Sequence, residues 1–163
     1  MLNVTVLCVG KLKENYWRDA CAEYVKRLGA FCRIQVAEVA EVAEERLPEN
    51  PSAAQIATVV EAEGRRLEEK LPRDGLVIAL CIEGKELDSP ALAACMQKAA
   101  VEGKSHVTLL IGGSYGLSPA IKSRAQLRLS MSPMTFPHQL ARVMVLEQIY
   151  RAFQIVGGGK YHK

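Results

Sequence analysis

The chain has 163 residues, 49% of them hydrophobic and 24% charged, with a net charge of +3; it is long enough for one domain with its own core, and no Pro/Ser-rich linker divides it. Apolar runs break well short of a membrane span and Met1-Leu2-Asn3-Val4 lacks the basic start of a signal peptide, so a single cytoplasmic domain over residues 1–163 is expected, with no membrane role. Charge is uneven: residues 1–110 hold 14 Lys and Arg against 17 Asp and Glu, residues 111–163 hold 7 against 1, which favours an anionic partner such as nucleic acid near the C-terminal third, with ordinary surface charge as the competing reading.

Val4 to Val9 is a short apolar run ending at Gly10, as in a parallel strand covered on both faces. From Asn15 to Leu28, Trp17, Ala20, Cys21, Tyr24 and Leu28 recur at three- and four-residue steps before Gly29, which predicts a helix with one inward stripe. Arg33 to Val39 reads as a second strand, and acidic Glu41 to Pro51 as a solvated loop. Ser52 and Gln55 form a capping-box pattern ahead of Ile56, Val60, Leu67 and Leu71, a second helix.

Gly75 to Ile82 is the third predicted strand, and Ser89-Pro90 the cap of a helix through Met96. His106 to Ile111 is a fourth strand, whose His106 is expected to be structural. Ser118-Pro119 caps a short helix, Leu127 to Met131 makes a fifth strand, and His138 to Val156 is helical. This alternation predicts an α/β fold with a mainly parallel sheet and ligands outside the carboxyl ends of its strands. Cys8, Cys21, Cys32, Cys81 and Cys95 form no C-x-x-C pair and have no His at ligand spacing, so reduced thiols and no metal are expected.

Three loops leave strands in the second half: Cys81 to Ser89, Gly112 to Ser118 and Ser132 to His138. Gly112-Gly113-Ser114-Tyr115-Gly116 does not match the G-x-G-x-x-G of a dinucleotide fold, nor does it follow the first strand. His138, after a proline at a helix start, suits substrate phosphate or base, or simply local capping. Arg142 lies about 180° round the last helix from Arg151, among Val145, Leu146 and Ile149; a charge there implies a buried partner, a subunit contact or an anionic ligand.

The string Leu110 to Ser118, then Met134-Thr135-Phe136-Pro137-His138-Gln139, Arg142-Val143, Glu147 to Phe153 and terminal Tyr161-His162 resembles the bacterial ribosomal RNA large subunit pseudouridine N3-methyltransferase family. Val9 to Lys13 and Tyr24 to Leu28 are similar too, so the resemblance spans essentially the whole chain. It implies a SPOUT architecture with helices on both faces of the sheet, a C-terminal trefoil knot and a homodimer. It further implies S-adenosyl-L-methionine as methyl donor, held by Leu80, Gly113, Ser132, Pro133, Met134, Thr135, Phe136 and Pro137. The substrate implied is N3 of a pseudouridine in helix 69 of 23S ribosomal RNA on the assembled ribosome, with His138, Arg142, Tyr161 and His162 toward catalysis and no metal. A noncatalytic RNA-binding module of the same fold is the alternative. Tyr115 and Gly157-Gly158-Gly159 are particular to this chain against that resemblance, and the glycines are expected to loosen the tail.

Overall fold

The computed structural model describes residues 1–42 and 47–163. Its elements are β1 (Asn3–Val9), α1 (Asn15–Leu28), β2 (Arg33–Val39), α2 (Ala53–Lys70), β3 (Leu76–Glu86), α3 (Ser89–Val101), β4 (His106–Ile111), α4 (Pro119–Arg124), β5 (Leu127–Ser130) and α5 (His138–Val156). The five strands run in the order β2-β1-β4-β3-β5, and every pairing is parallel.

Parallel strands need helical crossovers, which cover both faces and demand apolar residues on both sides of each central strand. In β1, Val4, Val6 and Cys8 join one buried cluster while Leu7 and Val9 join another. Strand β3 divides likewise, with Leu76 and Ile78 on one side and Val77 and Ala79 on the other. The first face is packed by α1, α3 and α5, which supply Cys21, Leu28, Leu92, Met96, Leu146 and Ile149. The second is packed by α2 and α4 through Leu67 and Ile121. A Cβ on Gly64 would lie 2.5 Å from Ser118 Oγ, so glycine is what lets α2 reach the start of α4.

Local signals operate as their chemistry requires. Ser52 accepts from Gln55 N while the Gln55 side chain accepts from Ser52 N, closing the capping box of α2. Ser118 caps α4 with Pro119 behind it. The cap of α3 is a correction: Asp88 accepts from Ala91 N at 2.8 Å, so Ser89 and Pro90 are already inside the helix, which continues to Val101 rather than ending near Met96. An ionised carboxylate is at least as good a cap as a hydroxyl and also suits the positive helix end.

The expected acidic loop 41–51 is only partly solvated. Val42 is buried and its N–H donates to Glu63, while residues 43–46 lie outside the described residues. Among the described residues, no helix is long and apolar enough to cross a membrane.

Candidate active site

Strand β3 outlasts its expected end at Ile82 because it is interrupted. Leu80 and Lys85 both register with Leu129 of β5, so the intervening residues leave the ladder. Such an insertion re-aims side chains at a strand end. Gly84 holds the excursion down, since a Cβ there would sit 2.7 Å from Arg128 O. Ile82 and Glu83 are thereby exposed beside the carboxyl ends of the strands.

The excursion, the turn after β4 and the loop after β5 together enclose a cavity of about 790 Å³. Leu80, Ile111 and Leu129 are among its apolar lining, and Gly112, Gly113 and Gly116 expose backbone to it. Volume and lining suit an organic ligand recognised by apolar walls and a few main-chain hydrogen bonds. All three loops follow neighbouring strands of the β4-β3-β5 edge, which is where an open parallel sheet places its ligands.

The glycine turn is tight. Gly116 N–H donates to Gly113 O at 3.0 Å, and the two residues form an isolated antiparallel bridge. Gly112 is sterically required, because a Cβ there would come within 2.5 Å of the Gly116 carbonyl carbon. A Cβ on Gly113 would meet Val9 at 3.2 Å, Glu41 at 3.6 Å and Glu63 at 3.7 Å. The missing side chain at Gly113 thus lets the turn settle onto Val9 of β1, with the two carboxylates at ordinary contact distance.

Sequence reasoning passed over those carboxylates. Glu41 accepts from Ser114 Oγ at 3.4 Å, and Glu63 is buried with Oε2 accepting from Val42 N at 2.9 Å. For Glu63 a signal existed: it lies on the inward stripe of α2 with Val60, Gly64 and Leu67, and a charge on such a stripe calls for a partner. For Glu41 there was none, because its partner is 73 residues away.

Leu80, Gly113, Ser132, Met134, Thr135, Phe136 and Pro137 all line the cavity, with His138 beside them; Pro133 is not in the lining. Ser132 shapes its own loop, its Oγ accepting from Met134 N and its carbonyl from Ser130 Oγ. Pro137 is the N-cap residue of α5, which puts His138 in the first turn. At the rim Lys122 and Glu83 form an ion pair, and the hydrogen bond from Lys122 holds the Glu83 carboxyl below its ordinary range. Cys81 lines the cavity too, but burial raises its thiol, making it a poor nucleophile. No group of three His, Cys, Asp or Glu able to hold a metal occurs among the described residues.

Arg142 lies elsewhere. Its guanidinium is buried, donating to Glu38 Oε2 at 2.7 Å and to Gly10 O at 3.2 Å, so it ties α5 to the ends of β1 and β2. Its Nε has no hydrogen-bond partner among the described residues. Of the three roles open to a charge on that face, the geometry is that of the buried partner.

The tail is also apart from the cavity lining. Gly159 N–H donates to Gln154 O and Gly158 N–H to Ile155 O, with Gly158 at φ +70°, a Schellman ending in which glycine takes the left-handed position. Rather than loosening the tail, the glycines turn it back along α5. Tyr161 donates to Glu147 Oε1 at 3.1 Å and meets the Tyr150 ring edge-on at 4.9 Å. The Arg151 guanidinium lies 4.7 Å from the Tyr161 ring centroid, and its Nη1 is 3.2 Å from His162 Nδ1. Burial and then the bond to Glu147 raise the Tyr161 phenol.

A family model described as "Predicted SPOUT methyltransferase" matches residues 2–162. The protein named ribosomal RNA large subunit methyltransferase H from Bifidobacterium adolescentis is 50% identical over 162 residues, covering 99% of this chain and 100% of that one. Proteins of that name from Bacillus pumilus and Leuconostoc mesenteroides are 48% and 46% identical with the same coverage. Among solved structures, a probable methylase family protein from Haemophilus influenzae superposes with a TM-score of 0.53 at 14% identity, over 99% of this chain and 70% of that one; that likeness is one of fold.

Proposed function

The chain belongs to the SPOUT methyltransferase family, matched from residue 2 to 162 and by full-length relatives at 46–50% identity, and from that premise we propose that it methylates large-subunit ribosomal RNA with S-adenosylmethionine. The observation that carries this reading is the 790 Å³ cavity built from the turn after β4 and the loop after β5. The finer reading is that the methyl goes to N3 of a pseudouridine in helix 69 of 23S ribosomal RNA, on the assembled ribosome. The trefoil knot and the homodimer belong to the same proposal.

The donor brings an already activated methyl group, so the N–CH₃ bond forms as the S–CH₃ bond breaks and the N3 proton leaves to base or solvent. The chain's own work is binding and alignment. Leu80, Leu129 and Met131 supply apolar walls, and the backbone of Gly112, Gly113 and the 132–137 loop supplies hydrogen-bonding edges. Pro133 and Pro137 stiffen that loop. His138, at the positive end of α5 and next to the donor loop, meets the substrate base or its phosphate.

Within one copy, Glu147, the anchor of Tyr161, is nine residues along α5 from His138, about 14 Å at the helical rise. A homodimer joined along α5 would bring the Tyr161-His162 pair of one copy toward the cavity of the other, and half-buried Val143, Met144 and Gln148 are the side chains it would cover. The basic C-terminal third adds attraction for the RNA backbone.

The test is twofold. Calorimetry should show saturable binding of S-adenosylmethionine, and tritiated methyl should pass to ribosomes from cells lacking this modification, with digestion and mass spectrometry locating it in helix 69. Donor binding with transfer elsewhere would keep the enzyme and overturn the target. No donor binding would favour the noncatalytic RNA-binding alternative.

A further inference from the structure

Eight large hydrophobic residues are prominently exposed among the described residues, and three of them, Ile82, Tyr115 and Met134, line the mouth of one cavity from three different loops. An apolar rim of this kind is kept exposed at a cost in solubility and marks a binding surface. The three differ in stiffness. Met134 has a flexible thioether and Ile82 rides on the β3 excursion, whereas Tyr115 sits at the tip of the Gly113–Gly116 bridge.

That turn is fixed from several sides. Gly116 N–H bonds back to Gly113 O, Gly116 takes φ +81°, Gly112 lies too close to the Gly116 backbone to carry a Cβ, and Ser114 is tethered to Glu41. A ring on such a mount loses little conformational freedom when it is covered, and tyrosine has only two side-chain torsions to fix. Yet Tyr115 remains 44% exposed, and among the described residues no ring pair or cation contact involves it.

We propose that Tyr115 is the stacking platform on which the substrate nucleobase is held at the cavity mouth, facing the donor. The inference rests on the methyltransferase reading above and adds a substrate-binding residue to it. A base whose edge nitrogen is methylated must be drawn out of its stack so that the edge can reach the donor, and it then needs a new π surface to replace the neighbours it has left. On that reading the interior beside Leu80, Gly112 and Leu129 would hold the donor, which leaves the exposed ring at the rim to what arrives from solvent. Stacking needs no particular base edge, so Tyr115 holds the base while other groups select it.

The experiment uses the full-length protein, ribosomes from cells lacking the modification, and tritiated S-adenosylmethionine, with Tyr115→Phe, Tyr115→Leu and Tyr115→Ala compared. Phe should stay near wild type. Leu, which keeps apolar area but no π face, and Ala should both raise KM for ribosomes about tenfold, with kcat and the calorimetric donor affinity unchanged, because an interaction made equally in ground and transition states appears in KM. An active wild type whose Ala variant keeps its KM overturns the proposal alone, as does a Leu variant indistinguishable from Phe. Parallel loss of donor affinity would assign the ring to the donor, and dissociation of a dimer on Tyr115→Ala would assign it to a second copy; either overturns it. A wild type that binds no donor and methylates no ribosome sinks the functional reading and this proposal together.

Discussion

Replacing Glu38 by Ala should cost the protein more than replacing Arg142 by Met, although both changes break the same ion pair. The Arg142 side chain is 3% exposed and the Glu38 side chain 36%. In Glu38→Ala the guanidinium stays buried, keeping only its bond to Gly10 O besides an Nε that is already unpaired. Stranding a buried charge costs about 3–5 kcal/mol, and the low end applies because the Glu38 side is open to water. For a domain of this size, about 3 kcal/mol lowers the melting temperature by roughly 6–12 °C. In Arg142→Met the stem is retained, the unpaired Nε disappears and Glu38 turns to solvent. What remains is the charge-assisted bond to the buried Gly10 O, about 1.5–2 kcal/mol once relief of the unpaired Nε is set against it, or roughly 3–8 °C. The double variant should melt close to Arg142→Met alone, since no stranded cation is left. Scanning calorimetry of the three variants, with S-adenosylmethionine titrated into each to verify the cavity, is the assay. An Arg142→Met protein that melts below Glu38→Ala would refute the reasoning, and one that melts normally but cannot methylate ribosomes would return Arg142 to the reacting groups.

Gly112→Ala puts a Cβ against the Gly116 backbone, so the turn must open; donor affinity should drop at least about tenfold by calorimetry while overpacking costs about 1–3 kcal/mol, and unchanged affinity would show that the turn does not contact the donor. Burial pushes the Cys8 thiol from 9.0 up to about 12; the folded state therefore holds its proton more tightly, the stabilisation is complete below pH 9, and it is lost as pH rises toward 12. By pH 10 the loss from this group is about 1.4 kcal/mol, so urea midpoints should fall between pH 8 and 10 less steeply in Cys8→Ala; equal slopes would contradict the burial argument. Deleting Tyr161 to Lys163 removes the contacts to Glu147, Tyr150 and Arg151 but nothing that lines the cavity, so donor binding should persist while methylation of ribosomes falls sharply. Full-rate methylation by the truncated protein would reduce the tail to packing.

Much of the architecture was already legible in residue order. Strand His106–Ile111 and helix His138–Val156 emerge with the bounds expected of them, because an apolar run and a proline-bounded helix are local signals. The capping box at Ser52 and Gln55 is likewise chemistry between residues three apart. The order of the strands was not legible: nothing near β5 says that it docks beside β3, and only that pairing closes the cavity. The excursion at 81–84 was missed for the same reason, since it depends on how Gly84 meets Arg128 across the sheet.

The site divides along the same line. The glycine turn, the 132–137 loop and His138 were readable as a block because their residue types constrain backbone locally, whatever surrounds them. Glu63 left a trace as a charge on an apolar stripe, and Glu41 left none. Arg142 was conspicuous in sequence as a charge in the wrong place, yet its partner lies 104 residues away and only the folded chain could name it. The tail shows the limit most clearly: three glycines in sequence are a flexible tether, and in the fold they are a helix ending that presses Tyr161 onto Glu147. Backbone preference is written residue by residue, whereas the partners that satisfy buried charges and polar groups are decided by the path of the chain through the sheet.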